Sequence, residues 1–237
     1  MESIGLLFKV FWAPGEAMFK ASKKPGAAFV AIGFLMIVGM ITSVVMLSQL
    51  NMGELTLRML DQNPRFQQLS AEQKQQIVAN SNGPLSKTFA LIGSAITPIL
   101  MTTFLALIFF GLFTLVGRDA GFKVFFVIAA FALLPLVVRF AASILTVMIV
   151  PASSIMPDEL GGISPSIFVD RTSVPKMLFT LLSQFDVVTL WILSLLVIGY
   201  RFAVKKSVSV AARVGCVFGI WLVWVALRVA LSSVLPF

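Results

Sequence analysis

The sequence contains no histidine and only one cysteine, Cys216, among its 237 residues. Without histidine a Ser–His catalytic pair is excluded. A single cysteine excludes an intrachain disulfide and a Cys/His zinc cluster. The Gly-Lys spacing of a nucleotide-binding phosphate loop is missing as well. We therefore expect a protein that is not an enzyme and that holds neither a metal nor a cofactor.

Charged residues are also scarce, at 12% of the chain, while apolar residues reach 59%. Soluble domains carry about a quarter charged residues. The apolar residues form long runs, and about 20 of them in a helix cross some 30 Å of hydrocarbon. These runs lack the alternation of membrane β-strands. The sequence therefore predicts an all-α polytopic membrane protein with five transmembrane helices, at about residues 27–50, 85–116, 122–150, 178–200 and 208–234.

Prolines lie within two of these spans and are frequent in one of the loops. Pro98 and Pro135 lie inside the second and third spans, which are longer than a straight crossing needs. Proline removes a helical hydrogen bond, so kinked or tilted helices are expected there. The connection over residues 151–177 is rich in proline and glycine, which predicts an extended, ordered or semi-ordered loop.

The polar region over residues 51–84 contains a helix start signal. Ser70 and Gln73 stand three residues apart, as in a capping box, where each side chain bonds the other residue's main-chain N–H. The spacing predicts a short helix that begins at Ala71.

Residues 1–26 form an amphipathic segment ahead of the first span. Apolar residues that include Trp12 are followed by Lys20, Lys23 and Lys24. This composition is typical of a helix that lies flat on an anionic membrane surface. The alternative is a helix that packs on the end of the bundle. We expect residues 1–26 to lie at the cytoplasmic face and residues 27–237 to form the membrane domain.

The net charge of +8 predicts an orientation and not a nucleic-acid partner. The basic residues flank apolar spans and form no basic face of the kind that nucleic acids require. Lys and Arg residues favour the cytoplasmic side of a membrane. With the N-terminus inside, the short inner segments hold nine of them and the longer outer segments six. The count predicts a cytoplasmic N-terminus and a C-terminus outside.

Three ionisable residues, Arg139, Asp186 and Arg228, fall inside predicted spans. They lie about 16, 12 and 9 Å from the outer ends of those spans, at 1.5 Å per residue. Charges at mid-bilayer cost roughly 2.5–3.5 kcal/mol each and usually pair. We expect Asp186 to accept hydrogen bonds from Arg139, Arg228 or both, as a clasp between spans. Two alternatives stay open: Arg228 extends alone to the interface, or the spare positive charge binds a ligand or ion.

The last span contains small residues four apart, Ala211, Gly215 and Gly219. Such a stripe lets transmembrane helices approach closely. The contact it predicts is either with a helix of the same chain or with a helix of a partner.

Three stretches of the chain resemble the bacterial members of the Yip1 family of membrane proteins. They are "VFWAPGEAMFKASKKPG" before the first span, "LSAEQKQQI" in the polar region, and "LLSQFDVVTLWILSLLVIGY" in the fourth span. The likeness is strongest around Asp186, Trp191 and Gly199, and it covers nearly the whole chain. The eukaryotic "DLYGP"-like signature is absent, so the contact of eukaryotic relatives with Rab GTPases is not carried over.

This resemblance implies five membrane helices without known catalysis. Some bacterial relatives associate with ABC exporters. We therefore expect an accessory or scaffold protein of the bacterial cytoplasmic (inner) membrane that binds another integral membrane protein, such as an ABC-type exporter, or copies of itself. The alternative is a small transporter or lipid-handling protein that uses Arg139, Asp186 and Arg228. Paired broken helices in repeated halves are usual in transporters, and the sequence has no evident repeat.

Overall fold

Helices form the regular structure of the part of the chain that the computed structural model describes, which comprises residues 2–62, 66, 68–152, 155, 160–169 and 173–234. A short 3₁₀ turn, Pro165–Phe168, follows α8. The α-helices in chain order are α1 Glu2–Lys9, α2 Pro14–Ser22, α3 Ala27–Gln49, α4 Met52–Gln62, α5 Ala71–Asn82, α6 Pro84–Val116, α7 Phe122–Ala132, α8 Leu136–Ile149, α9 Lys176–Gln184, α10 Val187–Tyr200 and α11 Val210–Val234.

The long apolar helices make this chain an all-α polytopic membrane protein. By length and composition, α3, α6, the α7–α8 segment and α11 can each cross a membrane. A fifth crossing results if α9 and α10, which are bent by 47° at the break between them, count as one span. These four spans agree with the sequence prediction to within two residues at each end. The fourth predicted span, 178–200, is corrected to a broken pair of helices.

The two internal prolines have different effects. α6 continues through Pro98 as one helix of 33 residues. At Pro135 the helix is interrupted: α7 ends at Ala132 and α8 begins at Leu136. The main chain tightens there, since Leu136 N–H donates to the carbonyl of Leu133 at 3.0 Å. Proline has no N–H to donate, so one helical hydrogen bond is lost at each site, and only at Pro135 does the main chain change to bonds between residues three apart.

The α7 helix lies at the centre of the bundle. Every residue from 127 to 134 is buried. Beside it, the ring of Tyr200 lies 5.1 Å from Phe109, 5.4 Å from Phe113 and 5.1 Å from Phe125, measured between centroids. This aromatic cluster joins α6, α7 and α10 at one end of the bundle.

The N-terminal segment forms two helices where one was expected. Leu6, Leu7, Val10 and Met18 are buried in the same core as the long helices. The segment packs on the end of the bundle, as in the alternative interpretation, and its placement at a membrane surface stays a prediction. Its other face is exposed and carries both apolar and charged side chains, with Trp12 in the turn between α1 and α2 at 70% exposure.

The prediction of a helix beginning at Ala71 is confirmed. Ser70 accepts a hydrogen bond from Gln73 N–H at 3.2 Å, and the Gln73 side chain accepts one from Ser70 N–H at 2.9 Å. The preceding helix, α4, was not anticipated. It is joined to α5 by Asn82, whose side-chain oxygen accepts from Gly53 N–H at 2.9 Å.

The two ends of the bundle are built differently. The end called here the α1–α2 end contains α1, α2 and the turns 117–121 and 201–209. These two turns are paired, because Lys205 N–H donates to the carbonyl of Gly117 at 2.9 Å and Asp119 N–H donates to that of Ala203 at 3.1 Å.

The opposite end, called the loop end, contains α4, α5 and the connection between α8 and α9. There Arg58 Nη1 donates to the carbonyl of Ala152 at 3.0 Å. Of the predicted loop over 151–177, residues 153–154, 156–159 and 170–172 lie outside the described residues, and Pro157 lies among them.

Candidate functional site

Asp186 lies at the break between α9 and α10, as the N-cap of α10. Its backbone is extended, and its Oδ1 accepts a hydrogen bond from Thr189 N–H at 3.0 Å. Aspartate is a favoured N-cap because the first N–H groups of a helix have no partner within the helix. The expectation that Asp186 sits inside a continuous helix is therefore corrected. The residue ends one helical segment and starts the next.

Arg139, from the first turns of α8, forms an ion pair with Asp186 through its Nη2. The same nitrogen donates to Thr189 Oγ1 at 3.2 Å. The side chain of Asp186 is 6% exposed and that of Arg139 is 31% exposed. The pair connects α8 with α10 and neutralises the buried carboxylate.

The loop between α8 and α9 turns inward to reach the same carboxylate. Ile163 N–H donates to Asp186 Oδ2 at 2.8 Å, and Val187 N–H donates to the carbonyl of Ile163 at 3.0 Å. Gly161 makes this approach possible. It has a φ of +67°, and a Cβ added there would lie closer than 3.0 Å to the hydroxyl of Ser143 and the carbonyl of Arg139.

The Asp186 carboxylate is fully engaged by neighbouring donors. Oδ1 accepts from Arg139, from Thr189 N–H and from the Thr189 hydroxyl at 3.3 Å, while Oδ2 accepts from Ile163 N–H. These donors stabilise the ionised form, and two of them are fixed main-chain groups. The arrangement is that of a structural clasp, which binds α8, α10 and the loop to one another.

Arg228 takes no part in this ion pair. Its side chain is exposed on α11, and among the described residues no carboxylate forms an ion pair with it. The expectation that both arginines face Asp186 is corrected to Arg139 alone. An exposed arginine six residues from the end of a membrane helix fits the alternative in which it extends to the interface.

The small-residue stripe Ala211, Gly215 and Gly219 faces away from the bundle. Ala211 and Gly215 are exposed, and a Cβ added at Gly215 or Gly219 would meet nothing within 4 Å. Only 11% of the most apolar stretch of α11 is buried, compared with 61% for the α7–α8 span. Within the part of the chain that the structure describes, the stripe therefore makes no close helix contact.

The N-terminal lysines are held by partners that the sequence did not suggest. Glu16 accepts from Lys9 at 2.6 Å and from Lys20 at 2.8 Å, which ties α1 to α2. Lys23 lies over the ring of Phe19, with its Nζ 3.9 Å from the centroid. Hydrogen bonds from Lys20 and then Lys9 lower the pKa of Glu16 from 4.5 to about 2. Lys24 is exposed in the turn after α2, and it is not without an interaction partner.

Sequence reasoning missed Ile163, Thr189 and Arg213. The first two act through a main-chain N–H and a helix cap, whose positions depend on the fold. Arg213 did leave a signal, since it stands three residues inside the last apolar helix. Arginine at such a position requires a partner or a route to the interface.

These features define an all-α polytopic membrane protein in which the bent helix pair α9 and α10 is clasped at Asp186. Comparisons with family models, with curated proteins and with solved structures found no match to the chain. The resemblance to the Yip1 family therefore stays a prediction.

Proposed function

We propose that this protein is a non-enzymatic accessory or scaffold subunit of the bacterial cytoplasmic membrane. Its last helix, α11, binds a transmembrane helix of another integral membrane protein, with an ABC-type exporter as the first candidate. The observation that carries the proposal is the outward-facing stripe Ala211, Gly215 and Gly219, which no part of the described chain covers.

The chemistry of the stripe supports a helix as the partner. In lipid, apolar side chains gain little from meeting one another, so helix association depends on close packing. Two glycines one turn apart allow a second helix to approach the main chain of α11. A soluble partner would instead need polar groups at the contact, and around Gly219 the exposed neighbours are Leu222, Val223 and Trp224.

The clasp supports a scaffold in preference to the transporter alternative. A transport site exchanges its ligand, whereas the Asp186 carboxylate is occupied by Arg139, Thr189 and Ile163. In transporters with broken helices, the free N-terminus of a half-helix binds the substrate. Here the Asp186 side chain caps the N-terminus of α10 and takes the position that a substrate would need.

Site-specific crosslinking tests the proposal. A photoreactive amino acid at position 215 is expected to crosslink to one membrane protein, and that protein is expected to copurify stoichiometrically in mild detergent. Position 111 on α6 is a matched control, because Gly111 is equally exposed and a Cβ there also meets nothing within 4 Å. Crosslinks only to a second copy of the chain would show that the partner of α11 is the protein itself and not an exporter. Equal products from both positions, or a solitary monomer, would refute the proposal.

A substitution pair gives an independent readout. Gly215→Leu with Gly219→Leu is expected to abolish copurification of the partner, since two bulky side chains prevent close approach. Thermal stability of the isolated protein is expected to be retained, because neither position is packed within the chain. Gly93→Leu with Gly111→Leu on α6 is the control and is expected to leave copurification unchanged.

A further inference from the structure

Arg213 is a buried cation without an acidic partner in the part of the chain that the structure describes. It lies in the first turn of α11, and only 7% of the residue is exposed. Its Nη1 donates to the carbonyl of Val197 at 3.0 Å. Its Nε is buried and has no hydrogen-bond partner.

The contact with Val197 accounts for only part of this guanidinium. Val197 lies in the last turn of α10, where carbonyls lack helical partners and a nearby cation is favourable. One such bond uses one of the five N–H groups of arginine. Burying the remaining charge without a counter-ion is costly, so the side chain has unused capacity for an anion.

The surroundings of Arg213 add positive charge. Arg201 is the C-cap of α10 and adds a positive charge at the helix end that carries Val197. Other basic residues occupy the same α1–α2 end of the bundle, on the turns next to α6 and α11 and at the start of α7: Arg118, Lys205, Lys206 and Lys123. On those turns Asp119 is the acidic residue, and it is exposed. On these two turns the basic residues therefore outnumber the acidic ones, which favours an anion nearby.

The surface beside Arg213 is apolar and belongs to a helix that can cross a membrane. Val210 is 61% exposed and Val214 is 39% exposed, both on the first turns of α11. A ligand that contacts Arg213 from this side meets basic groups at the helix end and aliphatic groups further along the helix. A phospholipid combines these two properties, with a charged phosphate and acyl chains, whereas inorganic phosphate has only the first.

We propose that Arg213, assisted by Arg201, binds the phosphate of an anionic phospholipid headgroup in the membrane leaflet at the α1–α2 end. The guanidinium keeps its bond to Val197 and offers its other N–H groups to the phosphate oxygens, a pairing for which arginine is well shaped. On an ideal helix Arg213 lies roughly 160° around α11 from Gly215. Lipid binding at Arg213 therefore does not depend on partner binding at the small-residue stripe.

Lipid retention measured by native mass spectrometry tests this site. The full chain is reconstituted in nanodiscs that contain phosphatidylglycerol and phosphatidylcholine, and then released. The wild type is expected to retain one phosphatidylglycerol. Arg213→Gln is expected to weaken that retention about tenfold or more, the scale of a lost charge-assisted contact. Lys206→Gln, which removes the same charge from an exposed position at the same end, is expected to retain the lipid.

Each other outcome refutes the proposal. Equal retention by wild type and Arg213→Gln would show that Arg213 is not the site, and equal loss in both variants would show diffuse surface attraction. Displacement of the lipid by millimolar inorganic phosphate would assign the site to free phosphate. If Arg213→Gln fails to fold, Arg201→Gln tests the site instead. The Arg201 side chain is exposed, so this change is not expected to disturb folding. It is expected to weaken retention while thermal unfolding stays unchanged, and unaltered retention would overturn the assignment.

Discussion

Asp186 accepts a hydrogen bond from the main chain of Ile163, whose N–H donates to the carboxylate at 2.8 Å. Beside it, Val187 N–H donates to the Ile163 carbonyl at 3.0 Å. Asp186 and Ile163 are 23 positions apart. The contact holds an irregular loop against the start of α10. Irregular main chain within a membrane protein is tolerated where protein groups satisfy its N–H and carbonyl groups, and the Asp186 carboxylate does so here.

The ion pair is expected to stabilise the fold. Asp186→Asn keeps an oxygen that can cap α10, since asparagine is as good an N-cap as aspartate, but it leaves Arg139 without an anion. We expect the free energy of unfolding to fall by about 3 kcal/mol, the low end for a broken buried pair, because the Arg139 side chain is 31% exposed. Thermal or denaturant unfolding in detergent measures this loss.

A double-mutant cycle identifies the partner of Asp186. Arg139→Gln combined with Asp186→Asn is expected to cost less than the sum of the single changes, with a coupling of about 1 kcal/mol or more. Arg228→Gln is the control and is expected to show additive effects. If Asp186 coupled to Arg228 instead, the ion pair described for α8 and α10 would be wrong.

Gly161 is expected to tolerate no side chain. Its φ of +67° disfavours other residues, and an added Cβ would overlap Ser143 and the main chain of Arg139. We expect Gly161→Ala to lower the free energy of unfolding by about 2 kcal/mol or more, from backbone strain and overpacking together. Gly93→Ala is the control, because a Cβ at Gly93 on α6 meets nothing within 4 Å. Equal stability of the two variants would show that the loop does not pack as described.

The contact between α1 and α2 is expected to weaken in acid. Hydrogen bonds from Lys20 and Lys9 lower the pKa of Glu16 from 4.5 to about 2. The stabilisation is therefore fully present above pH 4.5 and is lost as the pH falls towards 2. Hydrogen exchange of the α1 and α2 amides, corrected for intrinsic rates, is expected to show less protection at about pH 2.5 than at about pH 6.

The control for this pH effect is Glu16→Gln. That variant is expected to lack the acid-dependent loss and to show reduced protection at both pH values. Glu72→Gln, at an exposed position on α5, is expected to behave like the wild type. An unchanged pH response in Glu16→Gln would assign the effect to another group.

Orientation in the membrane is a separate prediction. In a background where Cys216 is replaced by alanine, single cysteines at the exposed positions Gln75 and Lys205 report which side each end faces. The excess of Lys and Arg at the α1–α2 end predicts that position 205 is cytoplasmic and position 75 is outside. A membrane-impermeant thiol reagent is expected to label position 75 in intact cells and position 205 only after lysis. The reverse labelling would invert the topology.

The sequence alone determined the class of this protein and the location of most of its helices. Long runs of apolar residues can satisfy their main chain within a membrane only as helices or closed barrels, and the runs lack the barrel's alternation. The capping box at Ser70 and Gln73 depends on residues three apart, so it was also readable. Signals of this kind are local, and the structure agrees with them at α3, α5, α6 and α11.

Tertiary structure decided what the charged residues do. From the sequence, Arg139 and Arg228 were equally plausible partners for Asp186, because both lie at similar estimated depths. Depth says nothing about which way a side chain faces, and α8 presents Arg139 to Asp186 while Arg228 is exposed on α11. The break at Asp186 also depends on Ile163 and Gly161, which arrive from a distant loop. The apolar pattern of residues 178–200 therefore could not reveal the break. Its hydrogen-bond partners lie in another part of the chain.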